Sequence, residues 1–427
     1  ALIIATLVAG ALPAIAASRE VARRAIGARF GVATERGGRL RRVLTASQVA
    51  LAVVLLVCAV LLVRSMLALQ RVNTGFGTDG RIAATIELPP ALYDKTREVA
   101  LFTTYLERLR ALPGVVSAGG VTSLPLHRAG VDYAVETYLD GFAAGDREPE
   151  SDFRLATPDY FRTMGIPLVA GRELRASDTA NAARVAIVNE AFVRAYSPRR
   201  APLDVNVHFY CPDCDAFRIV GVVRDTRHRA LDGPPRPEVY IPYTQMPHGE
   251  LTVVARTSSD AASTATAMRQ ELMSLDPNLA LSNVATLSDI VSRSIDDRRF
   301  DAQLLAAFSI CALLLAAIGL WGSLSFSIGQ RKQEIAVRVA LGASRANVWR
   351  LVLTEAATPV AIGLAAGVAG AILASASLRA MMFGVTAGDP VTYAVVIATF
   401  AAVVLLVAFA GFRRVSGDDV RALLADA

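Results

Sequence analysis

Lysine is almost absent: Lys95 and Lys332 are the only two among 44 basic residues in a chain of 427. Neither follows a glycine-rich loop able to cradle phosphate, so this polypeptide by itself is not a P-loop ATPase. Histidine is nearly as scarce. No His-Glu-x-x-His, Gly-x-Ser-x-Gly or paired metal-ligand spacing gathers His127, His208, His228 and His248 into a catalytic or metal constellation. Most of the four stand beside arginine, proline or glycine, which predicts exposed loop histidines, and no catalytic residue and no metal ligand is assigned. Of the four cysteines, Cys58 and Cys311 lie inside apolar runs and read as small packing residues. Cys211-Pro-Asp-Cys214 lies in a polar region, where an oxidising compartment favours a local disulfide. Reduced surface thiols are an alternative. So is a metal site drawing on His208, Asp213 and Asp215, although no second cysteine pair completes it.

What the chain has in quantity is apolar sequence in blocks. Hydrophobic residues make up 53%, and four segments, 43–63, 304–328, 351–378 and 391–412, are each about the 20 residues that a helix needs to cross a bilayer. Alanine and glycine dominate the third, which suits close packing between membrane helices. The spans are read as lacking the charges of an ion or solute path. A further apolar stretch, 1–17, has neither a basic leader nor a cleavage context and reads as a partial transmembrane helix.

Arginine fixes the orientation, because cytoplasmic loops carry the basic excess. The connector 18–42 holds Arg19, Arg23, Arg24, Arg29, Arg36, Arg39, Arg41 and Arg42, the turn after the second full span holds Arg331, Lys332, Arg338, Arg345 and Arg350, and the tail holds Arg413, Arg414 and Arg421. The 379–390 link holds Arg379 alone. Parity then places the polar region between the first and second full spans outside the cell membrane. The net charge of +6 needs no nucleic-acid partner; it is mostly this asymmetry, with contact to anionic membrane lipid.

The fold class expected is therefore membrane α-helical, with four full transmembrane helices, a partial one, and a large α+β domain of two lobes over 64–299. Helical pattern after Arg64, and again over 287–303, extends the flanking spans as a stalk. Strand, helix and strand patterns over 81–88, 96–112 and 115–122 recur over 251–256, 260–275 and 279–285. Two β-α-β units of that kind make a split ferredoxin-like lobe, 81–126 and 250–286. Residues 127–249 become an inserted lobe, with strands expected over 185–188, 217–223 and 238–243.

The most specific segment is the turn over 330–343, Gln-Arg-Lys-Gln-Glu-Ile-Ala-Val-Arg-Val-Ala-Leu-Gly-Ala. It reads as a short amphipathic helix in which Glu334 and Arg338 pair at i, i+4, with Gly342 as its terminator. Periodicity alone is equally satisfied by an interfacial helix that merely joins two spans.

Glu334-Ile-Ala-Val-Arg-Val-Ala-Leu-Gly-Ala-Ser resembles the signature of the FtsX-like permease family, the membrane subunits of MacB-type ABC transporters. The likeness covers 300–427 as the permease domain and 64–299 as the MacB-type periplasmic core, including Pro158-Asp-Tyr-Phe-Arg-Thr-Met-Gly-Ile-Pro-Leu and Val188-Asn-Glu-Ala-Phe. The resemblance implies a non-catalytic permease subunit of a bacterial inner membrane that binds no cofactor itself. ATP is bound by a partner ABC ATPase docked on a coupling helix, at Glu334, Ile335, Arg338, Leu341, Gly342 and Ala343. It further implies mechanotransmission to the periplasmic domain, efflux or export with a periplasmic adaptor and an outer-membrane channel, and either a homodimer or the second half of a duplicated permease forming a pseudo-dimer. The rival readings are a membrane sensor and a scaffold with a periplasmic ligand- or partner-binding domain.

Overall fold

The computed structural model describes residues 33–127, 133–140, 150–196, 202–203, 205–211, 213–330, 334, 337, 345–377 and 382–416. The partial helix expected over 1–17 lies outside them. Contacts divide the chain into two compact units, Leu69–Asp297 and the helical segments that flank it.

The first helix, α1 (Ala33–Gln70), leads into the large unit. There β1 (Arg81–Glu87), α2 (Lys95–Ala111) and β2 (Val115–Val121) form a β-α-β unit. Asp94 starts α2 by accepting the amide of Arg97 at 2.8 Å, supplying one of the acceptors that a helix's first turn lacks. Phe102, Tyr105, Leu106 and Leu109 are buried on one face of α2, the i, i+3, i+4, i+7 pattern of a helix against a sheet. The helix stops before Pro113, and Gly114 takes φ +83°, where a Cβ is disfavoured, to turn the chain into β2.

The middle of the unit holds β3 (Tyr133–Leu139), β4 (Glu150–Ala156), α3 (Tyr160–Met164), β5 (Leu168–Gly171), β6 (Val185–Asn189), α4 (Glu190–Tyr196), β7 (Asn206–Phe209), β8 (Ala216–Val223) and β9 (Glu238–Pro242). A second β-α-β unit follows, β10 (Glu250–Thr257), α5 (Ala261–Leu275) and β11 (Ser282–Thr286), and then the short α6 (Leu287–Arg293). Asp260 caps α5 through the amides of Ala262 and Ser263, and Tyr105 of α2 donates to the Met268 carbonyl of α5 at 2.9 Å.

Described strands make one sheet ordered β11-β1-β10-β2-β4-β3-β7-β8-β6-β9, with β5 added on β8 and β4 also paired to β9. Within β11-β1-β10-β2 every neighbour is antiparallel, so the two β-α-β units interleave. Beyond them the sheet closes on itself: β4, β3, β7, β8, β6 and β9 form a ring, sealed by the parallel β4–β9 pair from Asp152↔Glu238 to Ala156↔Pro242. Closure removes exposed strand edges. Leu155, Val188, Phe209, Phe217, Ile219, Val239 and Ile241 belong to the apolar core of the unit. Among the described residues, β2 joins the interleaved strands to the ring at β4 through the pair Val121↔Ala156.

The remaining helices among the described residues are α7 (Asp296–Gln330), α8 (Arg345–Ser377) and α9 (Pro390–Ser416). The segment expected to run as a continuous helix over 287–303 is broken: α6 ends as Ser294 returns its amide to the Ile290 carbonyl at 3.0 Å, and α7 starts afresh at Asp296. Among the described residues four helices are long and apolar enough to cross a membrane, Leu40–Gln70, Asp296–Gln330, Ala346–Ala376 and Pro390–Arg413. Helices suit that setting because they satisfy their own backbone polar groups. At about 1.5 Å per residue all exceed a hydrocarbon core of about 30 Å.

Val49, Val53, Val57 and Leu61 of α1 share a buried cluster with residues of the three other long helices, among them Leu320, Val360 and Phe400. Glycine lets α8 lie close against α1. A Cβ at Gly363 would lie 2.6 Å from the Ala46 carbonyl oxygen, and one at Gly367 2.6 Å from the Val53 Cβ. Small residues four apart let two membrane helices pack backbone to backbone. Gly367→Leu is expected to destabilise the helical unit by about 1–3 kcal/mol, the usual cost of overpacking, and Val53→Ala in the same chain to restore part of it. Thermal unfolding in detergent of both variants checks this.

Candidate functional site

The predicted coupling turn is only partly within view. Glu334 is helical and exposed; Ile335, Arg338, Leu341, Gly342 and Ala343 lie outside the described residues. The helix ends near this turn are held by polar and aromatic contacts. Arg42 donates to Glu355 at 3.0 Å, the Arg41 guanidinium lies 3.7 Å from the centroid of Phe326, and Trp349 meets Phe412 edge to face at 5.5 Å. Glu355 corrects the expectation that the apolar spans lack charge, since it sits within the third of them. It is tolerated because a guanidinium on α1 neutralises it. At the opposite ends of the helices Arg64 pairs with Asp389, whose carboxylate also accepts the Thr392 amide at 2.9 Å and caps α9.

The large unit contains a buried charge cluster that the sequence reading missed. Arg154 of β4 alternates with Leu155 and so points to the opposite face of the strand from the apolar core, where Tyr160 and Phe161 of α3 are buried beside Tyr240. Its guanidinium lies 3.6 Å from Asp152 and 3.3 Å from Glu238, and all three side chains are 1% exposed. Arg154 Nε also donates to His228 Nε2 at 3.1 Å. The imidazole is therefore assigned the tautomer protonated on Nδ1, the nitrogen that faces Glu238 Oε1 at 3.8 Å. Burial pushes the Glu238 carboxyl above its usual range, while Arg154 and hydrogen bonds from Tyr240 and Thr226 pull it back.

His228 overturns the expectation of exposed loop histidines, being 7% exposed. Its flanking arginines suggested solvent, but its partners come from distant strands. Strand residues of opposite charge on a single face were the signal that could have found the cluster: Asp152 and Arg154, two apart, share one face of β4, and Glu238 stands opposite Asp152 on β9.

Cys211 and Cys214 are joined as a disulfide. Their turn is held by His208, whose Nδ1 faces the Cys214 carbonyl at 2.8 Å and whose Nε2 faces Asp140 at 2.9 Å. Burial lowers the His208 pKa, but these two acceptors more than offset it and the net shift is upward. Asp140 is held below its usual value by hydrogen bonds from His208 and Asn206. Among the described residues no group of three or more His, Cys, Asp or Glu is placed to hold a metal ion.

An architecture of four bilayer-length apolar helices, with a large α/β domain inserted between the first and second, defines a class of membrane proteins. Comparison with known proteins places the chain within it. Residues 43–271 match the family model described as MacB-like periplasmic core domain, and residues 306–416 match FtsX-like permease C-terminal. The chain belongs to this MacB-type family of FtsX-like permeases. It is similar to the macrolide export ATP-binding/permease protein MacB of Mannheimia succiniciproducens, at 27% identity over 221 residues, 50% of this chain and 33% of that protein. The protein of the same name from Bradyrhizobium diazoefficiens is 26% identical over 319 residues, 70% of this chain and 45% of its own. The chain thus spans a third to under half the length of these curated relatives. A solved periplasmic region of MacB from Actinobacillus actinomycetemcomitans aligns with a TM-score of 0.36 and 15% identity, over 52% of this chain and 94% of that one.

Removing Arg154 takes from the buried Glu238 its arginine partner at 3.3 Å and leaves Asp152 to Arg229 and Arg236. Arg154→Met is expected to cost about 3–5 kcal/mol, as for other broken buried pairs, measured by urea unfolding of the full chain in detergent. The Asp140–His208 pair titrates in the opposite sense to a buried neutral histidine. With the His208 pKa raised, its contribution is complete below the unfolded value of about 6.5 and is lost as pH rises through the folded value. The depressed Asp140 pKa gives a contribution present above about pH 4 and lost as pH falls. His208→Gln is expected to flatten the melting-temperature profile between about pH 6 and 8, by less than about 1 kcal/mol for so exposed a partner.

Proposed function

We propose that the chain is the transmembrane permease subunit of a MacB-type ABC transporter in the bacterial inner membrane, with its large domain in the periplasm. Family membership across both units is the observation that carries this reading. A partner ATPase docks on the turn at Glu334, Ile335, Arg338, Leu341, Gly342 and Ala343, binding and hydrolysing the ATP that this chain does not. Nucleotide-driven movement of that turn passes along α7 and α1, which enclose the large domain in sequence. Each contains an apolar helical span of more than 30 residues, long enough to project beyond the hydrocarbon layer. The periplasmic domain then works an adaptor and outer-membrane channel in efflux or export. The functional unit pairs two such halves, as a homodimer or within a longer chain.

The contacts between Arg42 and Glu355 and between Arg41 and Phe326 support the reading, because they tie the start of α1 to α8 and α7 beside the turn. A displacement at the turn therefore reaches α1 as well as the helices it joins. Co-purification of the full chain in detergent from its native host tests the proposal. An ATP-binding subunit is expected with the wild type and is reduced at least about tenfold with a Glu334→Lys, Arg338→Glu double variant, as loss of roughly 1.4 kcal/mol of docking energy would produce. Recovery of no ATPase with either chain would overturn it in favour of a sensor or scaffold. Equal recovery with both would remove the assigned turn residues from the interface.

A further inference from the structure

Residues 71–80 lead from the end of α1 to β1, and they are fastened along the way. Asn73 Oδ1 accepts the Gly75 amide at 2.9 Å and Thr74 Oγ1 donates to the Phe76 carbonyl at 2.7 Å, so the segment folds its own tight turn. The Thr74 carbonyl accepts the Arg227 amide, in the loop joining β8 to β9, at 2.9 Å. Gly75 lies so close to the same loop that a Cβ would be 2.1 Å from the Asp225 carbonyl oxygen. That loop is itself fixed, since the Asp225 carboxylate accepts the Ala191 amide of α4 at 2.7 Å. Phe76 is buried, and the Gly77 amide donates to the carbonyl of Met164, the last residue of α3, at 2.8 Å.

Arg81, the first residue of β1, completes the attachment. Its Nε donates to the Thr163 carbonyl of α3 at 2.6 Å and its Nη1 to the Asp79 carbonyl at 2.9 Å, and the residue is buried. A Cβ at Gly77 would lie 2.5 Å from Nη1 and one at Gly165 2.8 Å from Nη2, so the guanidinium sits between two backbones that glycine lets come near. The register partner of Arg81 on β10 is Arg256, and like charges directly opposite are destabilising. The sheet therefore gives no reason for an arginine here; the segments it joins do. α3 in turn stands between the two halves of the domain. A Cβ at Gly119 of β2 would be 2.7 Å from the Tyr160 Cα, while the Phe161 ring meets Tyr240 of β9 edge to face at 5.0 Å. By contrast α6, which leads to α7, packs on β1 and β11 of the interleaved sheet.

We propose that residues 73–81 are a strap that fixes the exit of α1 to α3 and to the ring, with Arg81 as its positioning residue. A displacement of α1 relative to α7 then becomes a displacement of the ring relative to the interleaved sheet. That consequence rests on the permease reading, whereas the attachment itself is measured without ATPase or nucleotide, so the two stand or fall separately. Spin labels at Gln70→Cys, the last residue of α1, and Val169→Cys, on β5 beside the ring, are both on exposed positions. Pulsed distance measurements on the full chain in detergent, with Cys58 and Cys311 replaced by alanine, read the attachment as the width of the distance distribution.

A narrow distribution is expected with the strap intact. Arg81→Met, and separately Gly75→Val, are expected to broaden it at least about twofold, because a released segment of this length behaves as a flexible chain spreading over about 15 Å. Arg81→Lys, which keeps a donor, is expected to broaden it less than Arg81→Met. A second label pair, Val116→Cys with Met273→Cys, lies wholly within the interleaved half on exposed positions and is expected to keep its width, and circular dichroism melting verifies that the variants fold. Broadening of the first pair alone supports the strap. An unchanged first pair in the folded variants, or equal broadening of both pairs, overturns it.

Discussion

The large domain depends on neutralising one arginine. Arg154 lies on β4, the strand that pairs with β2, β3 and β9 and so belongs both to the interleaved β-α-β sheet and to the closed ring. A buried guanidinium there is stable only because Asp152, Glu238 and His228 surround it. Desolvating these charges is expensive, and their mutual attraction returns that cost only when every partner is present. The cluster therefore adds specificity at least as much as stability, because any other register of β4 against β9 would separate Asp152 and Arg154 from Glu238.

The helical unit answers a different constraint. In a bilayer the chain must satisfy its backbone internally, and contact between apolar helices gains nothing over contact with lipid. Packing there comes from close fit. Gly363 and Gly367 let α8 approach the backbone of α1, while the Arg42–Glu355 and Arg64–Asp389 pairs tie α1 to its neighbours toward both of its ends. Close packing in the middle with ion pairs toward the ends is suited to helices that move as a group, the property required of a mechanical relay.

The membrane helices were legible in the sequence because about 20 apolar residues leave few alternatives. So was the recurrence of the strand, helix and strand patterns of 81–122 over 251–285, since each helix leads through a short turn into the strand that follows it. β6, β8 and β9 were visible as β-branched runs, whereas β3, β4, β5 and β7 were not. β4, Glu-Ser-Asp-Phe-Arg-Leu-Ala, has Asp152 and Arg154 where an amphipathic strand would put solvent-facing residues, yet both are buried. Burial of charge is decided by partners distant in sequence, and local pattern is blind to it. His228 was misjudged for that reason, and Glu355 was overlooked because a single acid hardly disturbs a long apolar run. Its partner Arg42, the last arginine before the first full span, was the available clue.

The central claim is that movement at the turn between α7 and α8 is carried by α1 and α7 toward the large domain. Spin labels at Leu67→Cys and Phe300→Cys, both exposed near the ends of these helices leading into that domain, would report it in a chain with Cys58 and Cys311 replaced by alanine. Pulsed distance measurements on the full chain bound to its ATPase are expected to give different label separations in the nucleotide-free and ATP-bound states. An unchanged separation while the complex turns over ATP would contradict the claim.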